Sequence, residues 1–197
     1  MSRRSEAPEK LYWGFVDAPF DPMLAVQSPA GLCALEFDGP KRRASLARRF
    51  ERFFPEAEIA EAPAGVRRDP LGEIRNWLAR YFAGKFPSPS GLALDMHGTP
   101  FELDVWNALL EIPPGRTRTY GELAERVGHP GSARAVGGAV GSNPLAIVVP
   151  CHRIIGANGS LTGFGGGIAR KKWLLEHEHL ATPEGRSAGK QMALWGG

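Results

Sequence analysis

An α+β fold is predicted: a small N-terminal mixed α/β domain, then a mostly helical C-terminal domain with a helix-turn-helix of winged-helix-like character. Three observations predict it. Short β-branched and aromatic runs fill the first forty residues, and amphipathic helical periodicity follows them. The stretch Phe86-Pro87-Ser88-Pro89-Ser90-Gly91 then reads as a linker. Beyond it, two short helices are joined by a glycine-containing turn.

A length of 197 residues allows one large domain or two small ones, and 43% hydrophobic with 23% charged residues is ordinary for a globular protein. A formal charge of +3 permits nucleic-acid binding without demanding it. Two cysteines, Cys33 and Cys151, are too few for a disulfide framework. No signal peptide or bilayer-length apolar run is visible, so no membrane partner is expected. A reducing cytoplasmic setting and a monomer are the expectation.

Taken in order, residues 1–10 are polar and read as disordered, and the N-terminal domain is placed at 11–97. Leu11 to Val16, Met23 to Gln27 and Leu32 to Phe37 read as strands, with Ser28-Pro29-Ala30-Gly31 as a turn. Cys33 reads as core packing. Lys41 to Phe54 is an amphipathic helix with Leu46, Phe50 and Phe53 as its buried stripe; its arginines read as a solvated face rather than a phosphate-binding one. Asp69-Pro70 opens a further helix whose core face is Ile74, Trp77, Leu78, Tyr81 and Phe82. Leu92 to Met96 reads as a last strand.

The second domain is placed at 98–181 and a flexible tail at 182–197. Thr99-Pro100-Phe101-Glu102 is a capping box, and Phe101, Val105 and Leu109 recur at helical spacing. Pro113-Pro114-Gly115 stops that helix. Thr119-Tyr120-Gly121-Glu122 is a second capping box, opening a helix through Arg126. After His129-Pro130-Gly131, a third helix spans Ser132 to Val140. Its adjacent glycines cost roughly 1 kcal/mol each against alanine. The small residues Ala133, Gly137 and Ala139 allow either tight helix packing or close approach to a narrow groove, with Arg134 as the one long side chain.

Ala146-Ile147-Val148-Val149 reads as a buried strand ended by Pro150, which has no N–H to give. Cys151 and His152 follow at once. The residues alone leave a reactive and an inert, buried Cys151 equally open. A glycine-rich loop at 160–167 precedes a helix from Ile168 to His179, on which Leu174, Leu175 and Glu178 share a face. Glu178 therefore either frays into water or points inward toward a cationic or donor partner, for which His152 is the candidate.

Pro150-Cys151-His152-Arg153-Ile154, Gly163-Phe164-Gly165-Gly166 and Trp173-Leu174-Leu175-Glu176-His177-Glu178 resemble the O6-alkylguanine-DNA alkyltransferases, the methylated-DNA–protein-cysteine methyltransferases. Arg134-Ala135-Val136-Gly137-Gly138-Ala139 and Asn143-Pro144 agree in order and spacing. The match is specific over 98–180 and looser over 11–95. The resemblance implies direct reversal of alkylation in double-stranded DNA: an alkyl group passes once from O6 of guanine, with O4 of thymine a second candidate, to the protein's own cysteine.

The resemblance also implies roles. Cys151 is the nucleophile and acceptor, His152 the base acting through a water, and Glu178 the residue that orients it. Asn143 ties the third helix to the cysteine segment, and Tyr120 donates to the purine. Arg134 fills the place of the extruded nucleotide, with Ala133, Ala135, Gly137 and Thr119 at the DNA. Val140, Ile154, Phe164 and Gly165 line the pocket, and Arg153 is structural. No cofactor and no metal are implied, because the histidine and cysteine pattern of zinc-bearing relatives is not apparent. Where many members have a tyrosine, Phe164 loses a hydroxyl. Gly165 replaces a serine or other small residue, so a roomier pocket poorer in donors is expected. The alternative reading is a non-catalytic alkyltransferase-like lesion-binding protein; such proteins lack the acceptor cysteine.

Overall fold

Strand β1 (Lys10–Val16) pairs antiparallel with β2 (Met23–Gln27), which pairs antiparallel with β3 (Leu32–Phe37). This is the computed structural model of the chain, and it describes residues 8–63, 66 and 68–181. The disorder expected at 1–10 and the tail expected at 182–197 fall mostly outside that range. Glu9 and Lys10 do not fit that expectation: the Glu9 carbonyl accepts from the Glu58 amide at 2.8 Å, and Lys10 opens β1.

Helix α1 (Pro40–Phe53) covers one face of the sheet. Leu46 and Phe50 pack with Leu11, Val26, Cys33 and Ala34. Phe54, just past the helix, completes that cluster in place of Phe53, which is half-buried. Strand β4 (Glu58–Glu61), absent from the sequence reading, pairs parallel with β1 and gives the order β3-β2-β1-β4. Four residues with an acid at each end carry almost no strand signal, yet charge suits an open edge. Helix α2 (Gly72–Phe82) buries Ile74, Trp77, Leu78 and Tyr81.

Leu92–Met96 is not a strand. The far edge of β3 is shared instead: Leu32 bridges Leu94, and Leu35 bridges Leu145. Helix α3 (Pro100–Leu110) begins at the expected box, with Glu102 N donating to Thr99 Oγ1 and Thr99 N to Glu102 Oε2. Strand β5 (Arg118–Thr119) leads into α4 (Tyr120–Arg126), whose own box uses Thr119 and Glu122. Helix α5 (Ala133–Gly141) completes the helix-turn-helix, and the Trp106 indole N–H binds it through the Ala139 carbonyl at 2.8 Å.

The run Ala146–Val149 is buried as expected, but it is a turn rather than a strand. Ile147 has φ of 72°, a left-handed conformation that costs a β-branched residue about 1–2 kcal/mol. Val149 N then reaches back to the Leu145 carbonyl at 2.8 Å. A 3-10 turn spans Cys151–Arg153, and β6 (Ile154–Ile155) pairs parallel with β5. Helix α6 (Ile168–Ala181) closes the described chain. One apolar cluster runs through both halves, from Met23, Leu35 and Tyr81 to Val105, Val149 and Leu174.

Candidate active site

Cys151 is delivered by the tight turn, its amide bound to the Val149 carbonyl at 2.8 Å. Asn143 braces that turn from the end of α5: its Nδ2 donates to the Val149 carbonyl at 2.8 Å, and its Oδ1 accepts from Leu145 N at 3.0 Å. Asn143 thus joins the end of α5 to the segment that leads to the cysteine. Burial pushes the Cys151 thiol up, and a hydrogen bond from Asn143 pulls the other way. At rest the sulfur is a thiol that needs a base. Cys33 is a contrast: burial drives it up to about 12 and its Sγ donates to the Val26 carbonyl, so it is packing.

The next residue carries an imidazole. His152 is fully buried, and its Nε2 lies 2.9 Å from Glu178 Oε1. Glu178 points inward from α6, where Lys171, Leu174 and Glu178 form the buried face. Burial alone would raise its carboxyl, but the charges and hydrogen bonds of His152 and then Arg153 hold it well below the usual range. An ionised carboxylate only accepts, so Nε2 must carry the proton. The lone pair of His152 then sits on Nδ1, which is buried and has no hydrogen-bond partner among the described residues. Burial lowers the imidazole, outweighing the pull of Glu178, so it rests neutral. A neutral imidazole with a free Nδ1 is a base in waiting.

Arg153, expected to be structural, is bound directly to the Glu178 carboxylate. Its Nε donates to Glu178 Oε2 at 2.9 Å and its Nη2 to Oε1 at 2.6 Å, a bidentate pair, while Nη1 binds the Ile112 carbonyl. Gly115 N approaches Oε2 at 3.4 Å, and the Tyr81 hydroxyl donates to Oε1 at 2.7 Å.

The glycine-rich loop closes one side. Tyr120 is half-buried and donates to the Thr162 carbonyl at 3.2 Å. Gly163 has φ of 61°, and a Cβ there would lie 2.6 Å from the Tyr120 oxygen, so a side chain is excluded twice over. Lys171 is a residue the sequence reading passed over. It is fully buried, donates to the Thr162 carbonyl at 2.7 Å, and burial lowers it to about 8. A lysine four residues past the loop, on the face of Leu174 and Glu178, was the available signal. Val140 and Ile154 are buried in one cluster with Cys151, Tyr120 and Phe164.

The roomier pocket expected at Gly165 is not what the structure holds. A Cβ at Gly165 would lie 1.2 Å from Arg42 Nη2, so a guanidinium from α1 fills that space. Phe164 packs edge-on against Phe37 of β3 at 5.7 Å. The arginines of α1 are likewise not all a solvated face. Arg42 reaches the Gly141 carbonyl at 3.4 Å, and Arg49 reaches the Ser142 carbonyl at 2.7 Å while lying over the Trp106 ring. The last carbonyls of a helix lack partners and carry negative partial charge, which these cations satisfy. Glu36 of β3 stands 3.5 Å from Arg42, and burial raises its carboxyl to about 7.

On the outer face of α5, Arg134, Ala135 and Gly138 are exposed and Ala133 is half-exposed. Gly138 faces open space, whereas Gly137 lies against the Tyr120 ring at 3.8 Å. The helix therefore presents a thin, nearly side-chain-free ridge with one arginine, and half-exposed Thr119 caps α4 beside it.

Residues 100–180 match the family described as 6-O-methylguanine DNA methyltransferase, DNA binding domain. A methylated-DNA–protein-cysteine methyltransferase of Mycobacterium bovis is 58% identical over 106 residues, covering 54% of this chain and 64% of that protein. Its counterpart in Salmonella typhimurium is 54% identical over 107 residues, covering 54% of this chain and 63% of the relative. The chain thus aligns with just under two thirds of the length of these relatives. The crystal structure of Mycobacterium tuberculosis OGT in complex with DNA matches with a TM-score of 0.72 at 38% identity, covering 90% of this chain and 98% of that one. The chain belongs to the O6-methylguanine-DNA methyltransferase family, the methylated-DNA–protein-cysteine methyltransferases.

Proposed function

We propose that this chain repairs double-stranded DNA by direct reversal, moving a methyl or other alkyl group from O6 of guanine to its own Cys151 in one irreversible turnover. The observation that carries this reading is a single thiol followed by a neutral imidazole that an ionised Glu178 holds with Nδ1 free. His152 takes the thiol proton, through a bridging water as the family resemblance implies. Sγ then bonds to the sp³ carbon as the carbon–oxygen bond breaks, and the electron pair passes to the guanine. Tyr120, already a donor, supplies a proton to the purine. The thioether product has no good leaving group, so the protein is spent. The test is conversion: guanine must reappear in the duplex in the amount that methyl appears on the protein.

Cys151 argues against the alternative, a lesion-binding protein that flags damage without repairing it. The two halves act as lobes meeting near Gly98, the second bearing the chemistry. A reducing cytoplasm would keep both thiols free. No helix among the described residues is long and apolar enough to cross a membrane.

Arg134 is assigned to the gap left by the extruded nucleotide, as its place on the thin outer ridge of α5 supports. Extrusion costs a few kcal/mol in stacking and pairing, and a stacked guanidinium offsets part of that. Arg134→Ala should slow repair of duplex substrate about a hundredfold or more, yet leave reaction with free O6-benzylguanine within a few-fold, provided the pocket admits that base. Arg134→Lys should restore only part of the loss, since lysine lacks the flat surface. Equal losses on duplex and free base, measured as single-turnover rate constants, would return Arg134 to a structural role.

A further inference from the structure

We propose that Tyr81, on α2 in the first half of the chain, is a positioning residue for the transfer: its hydroxyl holds the Glu178 carboxylate and weakens its grip on His152. This rests on the relay proposed above and adds a member that no motif of the family resemblance supplied.

The geometry places Tyr81 on the relay itself. Glu178 Oε1 receives three donors: Arg153 Nη2 at 2.6 Å, the Tyr81 hydroxyl at 2.7 Å and His152 Nε2 at 2.9 Å. A carboxylate oxygen has two in-plane lone pairs, so these donors share electron density. Each weakens the hold of the others, and loss of one strengthens the remaining two. Tyr81 is 1% exposed, and its ring is clamped by stacking on Trp77, with centroids 5.5 Å apart and planes 10° apart. Phe86 and His177 pack around it. The hydroxyl is thus held at Oε1 by a rigid aromatic group, without sharing any backbone with the site.

A stronger Glu178 acceptor would favour the imidazolium form of His152. Tyr81 therefore helps keep His152 neutral, the form in which Nδ1 takes a proton. Other charged and titratable groups stand around this pair. Arg153 on the same 3-10 turn and Gly115 N, from the loop after α3, are donors to the same carboxylate. Lys171 of α6, near 8, and the raised Cys151 thiol act on the alkaline side. Tyr81 itself is raised well above its ordinary value by burial and then by Glu178. From α6, His177 meets the Tyr81 ring and its backbone carbonyl, at 2.9 Å, rather than the phenol oxygen. Burial raises Glu36 of β3 to about 7, and its partner is Arg42 rather than Tyr81 or Glu178.

The experiment is the single-turnover rate of full-length protein on an O6-methylguanine duplex from pH 5 to 9, for wild type and Tyr81→Phe. Phenylalanine keeps the stack and removes only the donor. Strengthened attraction to Glu178 should move the acid limb of the profile up by about half a unit, roughly a threefold lower rate one unit below the wild-type midpoint. Site-specific replacement of Tyr81 by 3,5-difluorotyrosine makes a stronger donor and should move the limb down; it also serves if Tyr81→Phe folds poorly. A variant with a lower melting temperature but a superimposed profile would overturn the proposal and make Tyr81 a structural residue. Both limbs moving the same way would overturn it too. If wild type itself shows no acid limb, the relay reading fails; if wild type shows one and neither variant moves it, only the role of Tyr81 fails.

Discussion

Cys151→Ser is expected to abolish methyl transfer, lowering the single-turnover rate by at least about a thousandfold, while binding to methylated duplex stays within a few-fold of wild type. The reason is chemical. A serine hydroxyl is far less acidic than a thiol, and its oxygen is a harder nucleophile toward an sp³ carbon, so the same His152 cannot activate it. Nothing on the outer face of α5 depends on the sulfur, so the DNA surface should survive. Cys33→Ser is the matched control and should leave transfer intact, because that side chain donates to the Val26 carbonyl between the sheet and α1, where a hydroxyl can do the same. Residual transfer in Cys151→Ser above one part in a thousand would place the acceptor elsewhere.

Glu178→Gln is expected to damage both chemistry and fold. The change is isosteric, yet every group around this carboxylate is a donor: Tyr81, His152, Arg153 and Gly115. An amide nitrogen in place of one oxygen meets donors with a donor and leaves the buried Arg153 guanidinium without a counter-charge. Breaking one side of a buried pair costs about 3–5 kcal/mol. For a chain of this length that is a fall in melting temperature on the order of 10 °C. Transfer at neutral pH should fall about a hundredfold, since His152 loses both its orientation and the charge that stabilises its protonated form. The Glu178 carboxyl is depressed in the fold, so its stabilisation is present above its ordinary value of 4.5 and lost as pH falls below it. The glutamine variant should lose that acid-sensitive component, which melting curves between pH 3 and 7 would reveal. Wild-type melting and rate would mean that Glu178 carries no weight in the site.

Much of the site was legible because its signals are local. The two capping boxes each lie within four residues and place α3 and α4 correctly. The face of α6 was enough to mark Glu178 as a charge in an apolar stripe. Its partners were only half legible. His152 was inferred, but Arg153 looked like the tail of a motif, and Tyr81 lies 97 residues from Glu178 on another helix. No periodicity reports a contact at that separation. The same limit hid β4 and the β5–β6 pair, whose strands have four and two residues and take their stability from distant partners. The run 146–149 failed differently. Its apolar content correctly predicted burial, but burial of β-branched residues does not by itself mean a strand, and Ile147 adopts the one backbone region its side chain disfavours. Arg42 and Arg49 depart from the solvated face that an arginine-rich helix usually presents. Here the end of another helix, α5, needed donors.

On the proposed reading, one chain accepts one alkyl group on one sulfur. Intact-protein mass spectrometry after incubation with excess O6-methylguanine duplex tests it most directly. The expected result is a gain of a single methyl group by the whole population, located by fragmentation on the peptide that contains Cys151, with no further gain as substrate is added. Repeated turnover without mass change, or a methyl group on Cys33, would contradict it.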